Sequence, residues 1–169
     1  MIIIEIAKFL LPCATIVLIA YWLINRPIKL EKLRLESANF KVIAPIKLAA
    51  YERLVLFLER TSPDEILNRE IENNMSTFEL QVKLLRVIRE EFEHNVAQQI
   101  YVTPKEWQAV VDAKNDILQL INICATQVNS NEKAITLAQT IIRTYNESAQ
   151  TPTQTAIALL KNEISRLIN

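Results

Sequence analysis

The chain has 169 residues, half of them hydrophobic, with 19 basic and 19 acidic side chains and no net charge. That balance offers no basic surface for nucleic acid, whose binding runs on phosphate neutralisation. Glycine is absent altogether, which excludes standard phosphate-cradling loops, dinucleotide turns and nucleophile elbows, and disfavours the tight hairpins of an all-β fold.

Met1 to Ile24, MIIIEIAKFLLPCATIVLIAYWLI, is apolar except for Glu5 and Lys8. Crossing the hydrocarbon core of a bilayer takes about 20 such residues, and Tyr21 and Trp22 sit where aromatic rings favour the lipid–water boundary. The stretch reads as a transmembrane helix. Glu5 and Lys8, three apart, can pair near its end, either as a boundary ion pair or as an intramembrane contact. No basic region precedes the apolar run and no small-residue cleavage site follows it, so an uncleaved anchor is expected. Arg26, Lys29, Lys32 and Arg34 follow the span closely. The positive-inside rule then places the amino terminus outside and the large domain in the cytoplasm. The same four residues suit contact with anionic headgroups.

Asn25-Arg26-Pro27 is expected to break or bend this helix, giving an anchor over 1–25, a basic juxtamembrane stalk over 26–42 and a helical domain over 43–169. A helix over 43–60 carries the all-apolar string LVLFL (Leu54 to Leu58), which calls for heavy burial, and an exposed position such as Leu56 would need a partner. The helix starts that follow are marked by capping boxes: Ser62-Pro63-Asp64-Glu65, Ser76-Thr77-Phe78-Glu79, Thr103-Pro104-Lys105-Glu106 and Thr151-Pro152-Thr153-Gln154. Each sets a hydroxyl at the cap and Glu or Gln three residues on, and three have proline at the first helical position. Asn129 with Glu132 is a weaker fifth. They predict helices over 63–72, 77–101, 104–128, 131–148 and 152–168. The fold class is therefore all-α: an N-terminal transmembrane helix followed by an antiparallel bundle of about five to six helices.

The segment Glu79 to Tyr101 shows two apolar stripes, as if packed between two neighbours. One is Phe78, Val82, Leu85, Phe92 and Val96, with Ile88 beside it and Arg89 interrupting. The other is Leu80, Leu84 and Val87, turning polar at Glu91, His94 and Gln98. The stripe of the next helix is broken by Lys114. Levels in this antiparallel hairpin have numbers summing to about 205, which sets Lys114 beside Glu91, Val87 by Leu118, Leu84 by Ile121 and Gln98 by Trp107. A Glu91–Lys114 contact is expected. The layer Glu91, His94, Gln98 and Lys114 is either a register-fixing polar layer or a ligand site. Glu91 and His94 have the E-x-x-H spacing of di-iron bundles, but His94 is the only histidine, so one chain cannot complete that ligand set or a zinc site. Cys13 falls in the apolar span and Cys124 in a helical core pattern, and they are not expected to pair.

At KLAAYERLVLFLER (Lys47 to Arg60) and REEFEHNVAQQIYVTPKEW (Arg89 to Trp107) the sequence resembles an uncharacterised family of small single-pass membrane proteins from Bacteroidota. The string EFEHN-x-x-QQIY (Glu91 to Tyr101) is its most specific part. The resemblance implies a bacterial inner-membrane setting and no activity.

The expected function is a membrane-anchored interaction or scaffold module that binds another protein or itself, with the lipid bilayer as its other partner. No enzymatic activity, cofactor or nucleic-acid partner is expected. The alternative is a small-ligand sensor or an enzyme using Glu91, His94 and Gln98.

Overall fold

The computed structural model describes residues 2–147 and 151–168; the side chains of residues 1–7, 9, 11, 24–30, 32–33, 35–37, 39 and 167–168 lie outside the description. Among the described residues the fold is all-helical: α1 (Ile2–Arg60), α2 (Pro63–Glu70), α3 (Thr77–Glu93), a 3-10 turn (Val96–Ile100), α4 (Pro104–Thr126), α5 (Ala134–Asn146) and α6 (Pro152–Ile168). The chain divides into two units, 1–45 and 46–169.

The first unit is helical throughout its described length. Of the break or bend expected at Asn25-Arg26-Pro27, the break does not occur: α1 runs on through these residues. An interior proline forfeits one backbone hydrogen bond, at about 3 kcal/mol. It need not end a helix whose neighbouring turns are rich in Leu, Lys and Glu, all good helix formers. Leu10, Ile16 to Ile19 and Tyr21 to Leu23 are 52–69% exposed. Among the described residues no helix is long and apolar enough to cross a membrane. The contiguous described stretch from Pro12 to Leu23 falls short of the about 20 apolar residues a span needs. The expected Glu5–Lys8 pair and the side chains of Arg26, Lys29 and Lys32 lie outside the described residues, and Arg34 is exposed.

The second unit is built on α4, whose single stripe of Val110, Ala113, Ile117, Ile121 and Cys124 serves two cores in succession. Near its start, Val110 and Ala113 pack with Tyr51, Leu54, Phe57 and Leu58 of α1 and with Ala156, Ile157 and Leu160 of α6. Farther along, Ile117, Ile121 and Cys124 meet Leu80, Leu84 and Ile88 of α3, Ile66 and Leu67 of α2, and Leu137, Ala138, Ile141 and Tyr145 of α5. Each fully buried Leu or Ile contributes on the order of 1.5–3 kcal/mol. Of the second stripe Leu80 and Leu84 are buried; along the first, Ile88 is buried and Leu85 and Phe92 are half-buried against the two cores, while Phe78 and Val82 at the start of α3 are 58% and 49% exposed, so the first stripe is covered only in part. The hairpin register holds: Gln81 Nε2 donates to Asn122 Oδ1 at 3.0 Å, close to the expected level.

Two of the expected capping boxes close. Glu79 N donates to Ser76 Oγ while the Glu79 carboxylate accepts from Ser76 N, and Glu106 does the same with Thr103. Ser62 instead donates its hydroxyl to Glu59 O at 2.7 Å, finishing α1 rather than starting α2. Thr151 Oγ1 is buried without a hydrogen-bond partner among the described residues. The fifth box gives way to an Asx turn, with Asn131 N donating to Asn129 Oδ1. The backbone there is claimed by the start of α3: Thr77 N donates to Glu132 O at 2.8 Å and Ala134 N to Met75 O at 2.9 Å. Helix α5 therefore begins at Ala134 rather than near 131.

Candidate functional site

The polar end of α3 is shaped by Asn95. Its side-chain Nδ2 donates to Glu91 O at 2.8 Å, taking the carbonyl that a continuing helix would offer to the Asn95 N–H. Asn and Asp side chains compete with helical hydrogen bonds in this way. The Asn95 N–H turns to Phe92 O at 2.9 Å, α3 stops at Glu93 with His94 as its cap, and the 3-10 turn follows. The helix expected to reach residue 101 is thus eight residues shorter.

This early stop dissolves the expected layer. Gln98 is carried onto the 3-10 turn, where it is half-buried and serves the backbone through its own N–H and carbonyl. The expected Glu91–Lys114 contact does not form. Glu91 pairs with Arg60 of α1 at 2.7 Å, the two side chains being 22% and 46% exposed. Lys114 Nζ lies 4.4 Å above the ring of Phe92, a cation–π contact worth about 0.5–1 kcal/mol near the surface. The level was right and the face was not. One residue along a helix is a turn of about 100°, and Phe92, not Glu91, faces α4. Phe92 also stacks on Trp107 at 5.4 Å and meets Phe57 at 5.8 Å, so Trp107 faces Phe92 in place of the expected Gln98.

Glu91 and His94 remain together, in an open cleft of about 350 Å³ whose walls are Arg53, Leu56, Phe57 and Arg60 of α1 with Glu91, His94 and Asn95. Gln98 and Lys114 are not among its walls. The arginines and Leu56 were not among the candidate site residues read from the sequence. Arg53, Leu56 and Arg60 stand at helical spacing on one face of α1, and that spacing was the available signal. Leu56 is 54% exposed.

A second open cleft, of about 460 Å³, has Glu59, Asp64 and Glu65 opposite Lys161, with Tyr145 and Thr153 at its base. The hydroxyls of Tyr145 and Thr153 are hydrogen-bonded to each other. Among the described residues no three of His, Cys, Asp and Glu are grouped to hold a metal ion. Cys124 is buried, which pushes its thiol above the ordinary range.

Among the described residues the one buried charged side chain is Glu106. Its carboxylate accepts from the Tyr51 hydroxyl and from Thr103 N at 2.6 Å. It caps α4 and ties that helix to α1, with every contact internal to the fold.

No curated protein and no solved structure matches the chain. A family model described as "Family of unknown function (DUF7935)" matches residues 1–167. With nearly the whole sequence inside that match, the resemblance to an uncharacterised family is upheld: the chain belongs to the Family of unknown function (DUF7935).

Proposed function

We propose that this protein is a membrane-tethered helical interaction module, acting by binding another protein or a second copy of itself. The observation that carries the reading is the run of exposed apolar side chains from Ile16 to Ile19 and from Tyr21 to Leu23, embedded in a sequence that is apolar from Met1 to Ile24 apart from Glu5 and Lys8. Such a surface is stable in lipid or against protein and costly in water. Its basic flank, Arg26, Lys29, Lys32 and Arg34, suits a single-pass anchor with the amino terminus outside and the helical unit at the cytoplasmic face of a bacterial inner membrane. The resemblance to small single-pass proteins of Bacteroidota points the same way. In the second unit, Leu56, Phe78, Val82 and Ile123 are 46–58% exposed, which supports contact with a partner.

The test is fractionation of the full chain from its own cells, followed by purification in mild detergent and mass spectrometry. Retention in membranes after alkaline washing, with a stoichiometric partner or a defined oligomer, is the expected result. A protein that washes off and purifies as a lone monomer overturns the reading. Reporter fusions at the carboxy terminus check the orientation, and activity of only an export-dependent reporter would reverse it.

A further inference from the structure

The cleft between α1 and the end of α3 carries more positive charge than its own walls neutralise. Arg60 is held by Glu91 at 2.7 Å. Arg53, two helical turns earlier on the same face, is exposed and has no hydrogen bond or ion pair among the described residues. Two guanidinium groups against one carboxylate leave one positive charge. The His94 ring is exposed and makes no hydrogen bond among the described residues. Asn95 has committed a side-chain N–H to Glu91 O, and its side-chain oxygen accepts no hydrogen bond among the described residues. Between these polar groups the wall is apolar: Leu56 is 54% exposed, and Phe57, 1% exposed, is braced by the Phe92 ring. The volume of about 350 Å³ lies within the range of small-molecule sites, roughly 300–1,000 Å³.

We propose that this cleft binds a small amphipathic anion, with a carboxylate or phosphate head on Arg53 beside His94 and a short apolar tail across Leu56. The arginine fork matches either head with two parallel N–H···O bonds, which a lysine could not reproduce. The tail removes apolar surface of Leu56 from water. Glu91 keeps Arg60 in place at the rim and, by repelling a second negative charge, favours a ligand with a single head group. This assignment goes beyond the interaction reading and does not depend on the anchor.

His94 is the chain's only histidine, so its ring carbon–proton signal is a unique reporter in the full-length protein held in an uncharged detergent. The probes are hexanoate and hexyl phosphate, with hexanol as the neutral counterpart. The expected result is a saturable shift of the His94 signal by one or both anions and none by hexanol, the stronger anion identifying the head. Arg53→Gln should weaken that binding about tenfold or more, and Arg53→Lys should restore only part of it. Lys105→Gln, an exposed charge outside the cleft, should leave it unchanged. Arg53 is exposed and unpaired, so its variants are expected to keep the helical circular dichroism of the parent. The proposal is overturned by the absence of a saturable shift with either anion, by equal affinity for hexanol, or by undiminished binding in Arg53→Gln. Phosphatidylglycerol added to the micelles separates a free ligand from a bilayer lipid. If it saturates the His94 shift where the short probes do not, the site reads a lipid headgroup and the small-molecule assignment falls.

Discussion

The Tyr51 hydroxyl donates to both carboxylate oxygens of Glu106, at 3.1 and 3.0 Å, and both residues are 2% exposed. Burial, then the hydrogen bond to Glu106, then the charges of Glu106 and Glu163 push the phenol above its ordinary range. Tyr51→Phe removes the donor and leaves a buried carboxylate short of a partner. The expected cost is about 1–3 kcal/mol, read as a lower denaturant midpoint at unchanged slope. The pH dependence has a fixed sign. A phenol whose folded pKa is raised contributes stability that is fully present below its unfolded value near 10 and is lost as pH rises toward the folded one. The parent should therefore weaken above about pH 10, and Tyr51→Phe should flatten that alkaline limb. An unchanged limb would remove the assignment.

Caps that look alike in the sequence should separate in measured stability. Ser76 and Thr103 each accept a hydrogen bond from the backbone of a Glu three residues on, so replacing either with Ala should cost about 1 kcal/mol. Ser62 makes no cap bond to α2 and donates to Glu59 O instead. Ser62→Ala should change stability by less than about 0.5 kcal/mol. Equal losses at all three positions would contradict the geometry.

Lys83 gathers the loop between α2 and α3. Its Nζ donates to Glu70 O at 2.9 Å and to Glu72 Oε1 at 2.6 Å, and lies 3.4 Å from Glu70 Oε2. Burial would raise the Glu70 carboxyl, but the hydrogen bonds and charges of Arg69 and Lys83 outweigh it and hold the group below its usual range. The hydrogen bond to Glu72 leads the causes that raise Lys83. The Glu70 contribution is present above its unfolded value of 4.5 and is lost as pH falls through the folded one. The Lys83 contribution is present below 10.5 and is lost as pH rises past it. Lys83→Met should thus lower stability by about 1 kcal/mol at neutral pH and by progressively less toward both extremes. Unfolding measured from pH 3 to pH 11 checks this, and a loss independent of pH would point to packing rather than charge.

The helix starts were legible because prolines and capping hydroxyls act locally. Pro63, Thr77, Pro104 and Pro152 begin α2, α3, α4 and α6 as the sequence indicates. Features that depend on which of several competing groups wins a partner, near or far along the chain, were not legible. The Asn95 side chain ends α3 by taking Glu91 O, and nothing in a 3.6-residue period announces it. The pairing of Glu91 with Arg60 required knowing that α1 lies against α3's end. The hairpin level could be counted, but the face could not, because Glu91 and Phe92 differ by about 100° around the axis. Helix α1 passes through Pro27, which reads locally as a break or bend.

The turn between α2 and α3 shows how a chain without glycine makes a left-handed backbone. Asn74 sits at φ 68° and is the only described residue with positive φ. For most L-residues that conformation costs roughly 1–2 kcal/mol, because Cβ crowds the following carbonyl, and Asn is among the few that tolerate it. Two substitutions separate the backbone requirement from any side-chain role. Asn74→Ala should destabilise by about 1 kcal/mol. Asn74→Gly should be within about 0.5 kcal/mol of the parent, since glycine's ease at positive φ offsets its greater freedom in the unfolded chain. Denaturant unfolding of both variants checks the pair. If Gly were as damaging as Ala, the Asn74 amide rather than its dihedral angle would hold the turn, and the link from α2 to α3 would rest on a side-chain hydrogen bond instead of on backbone conformation.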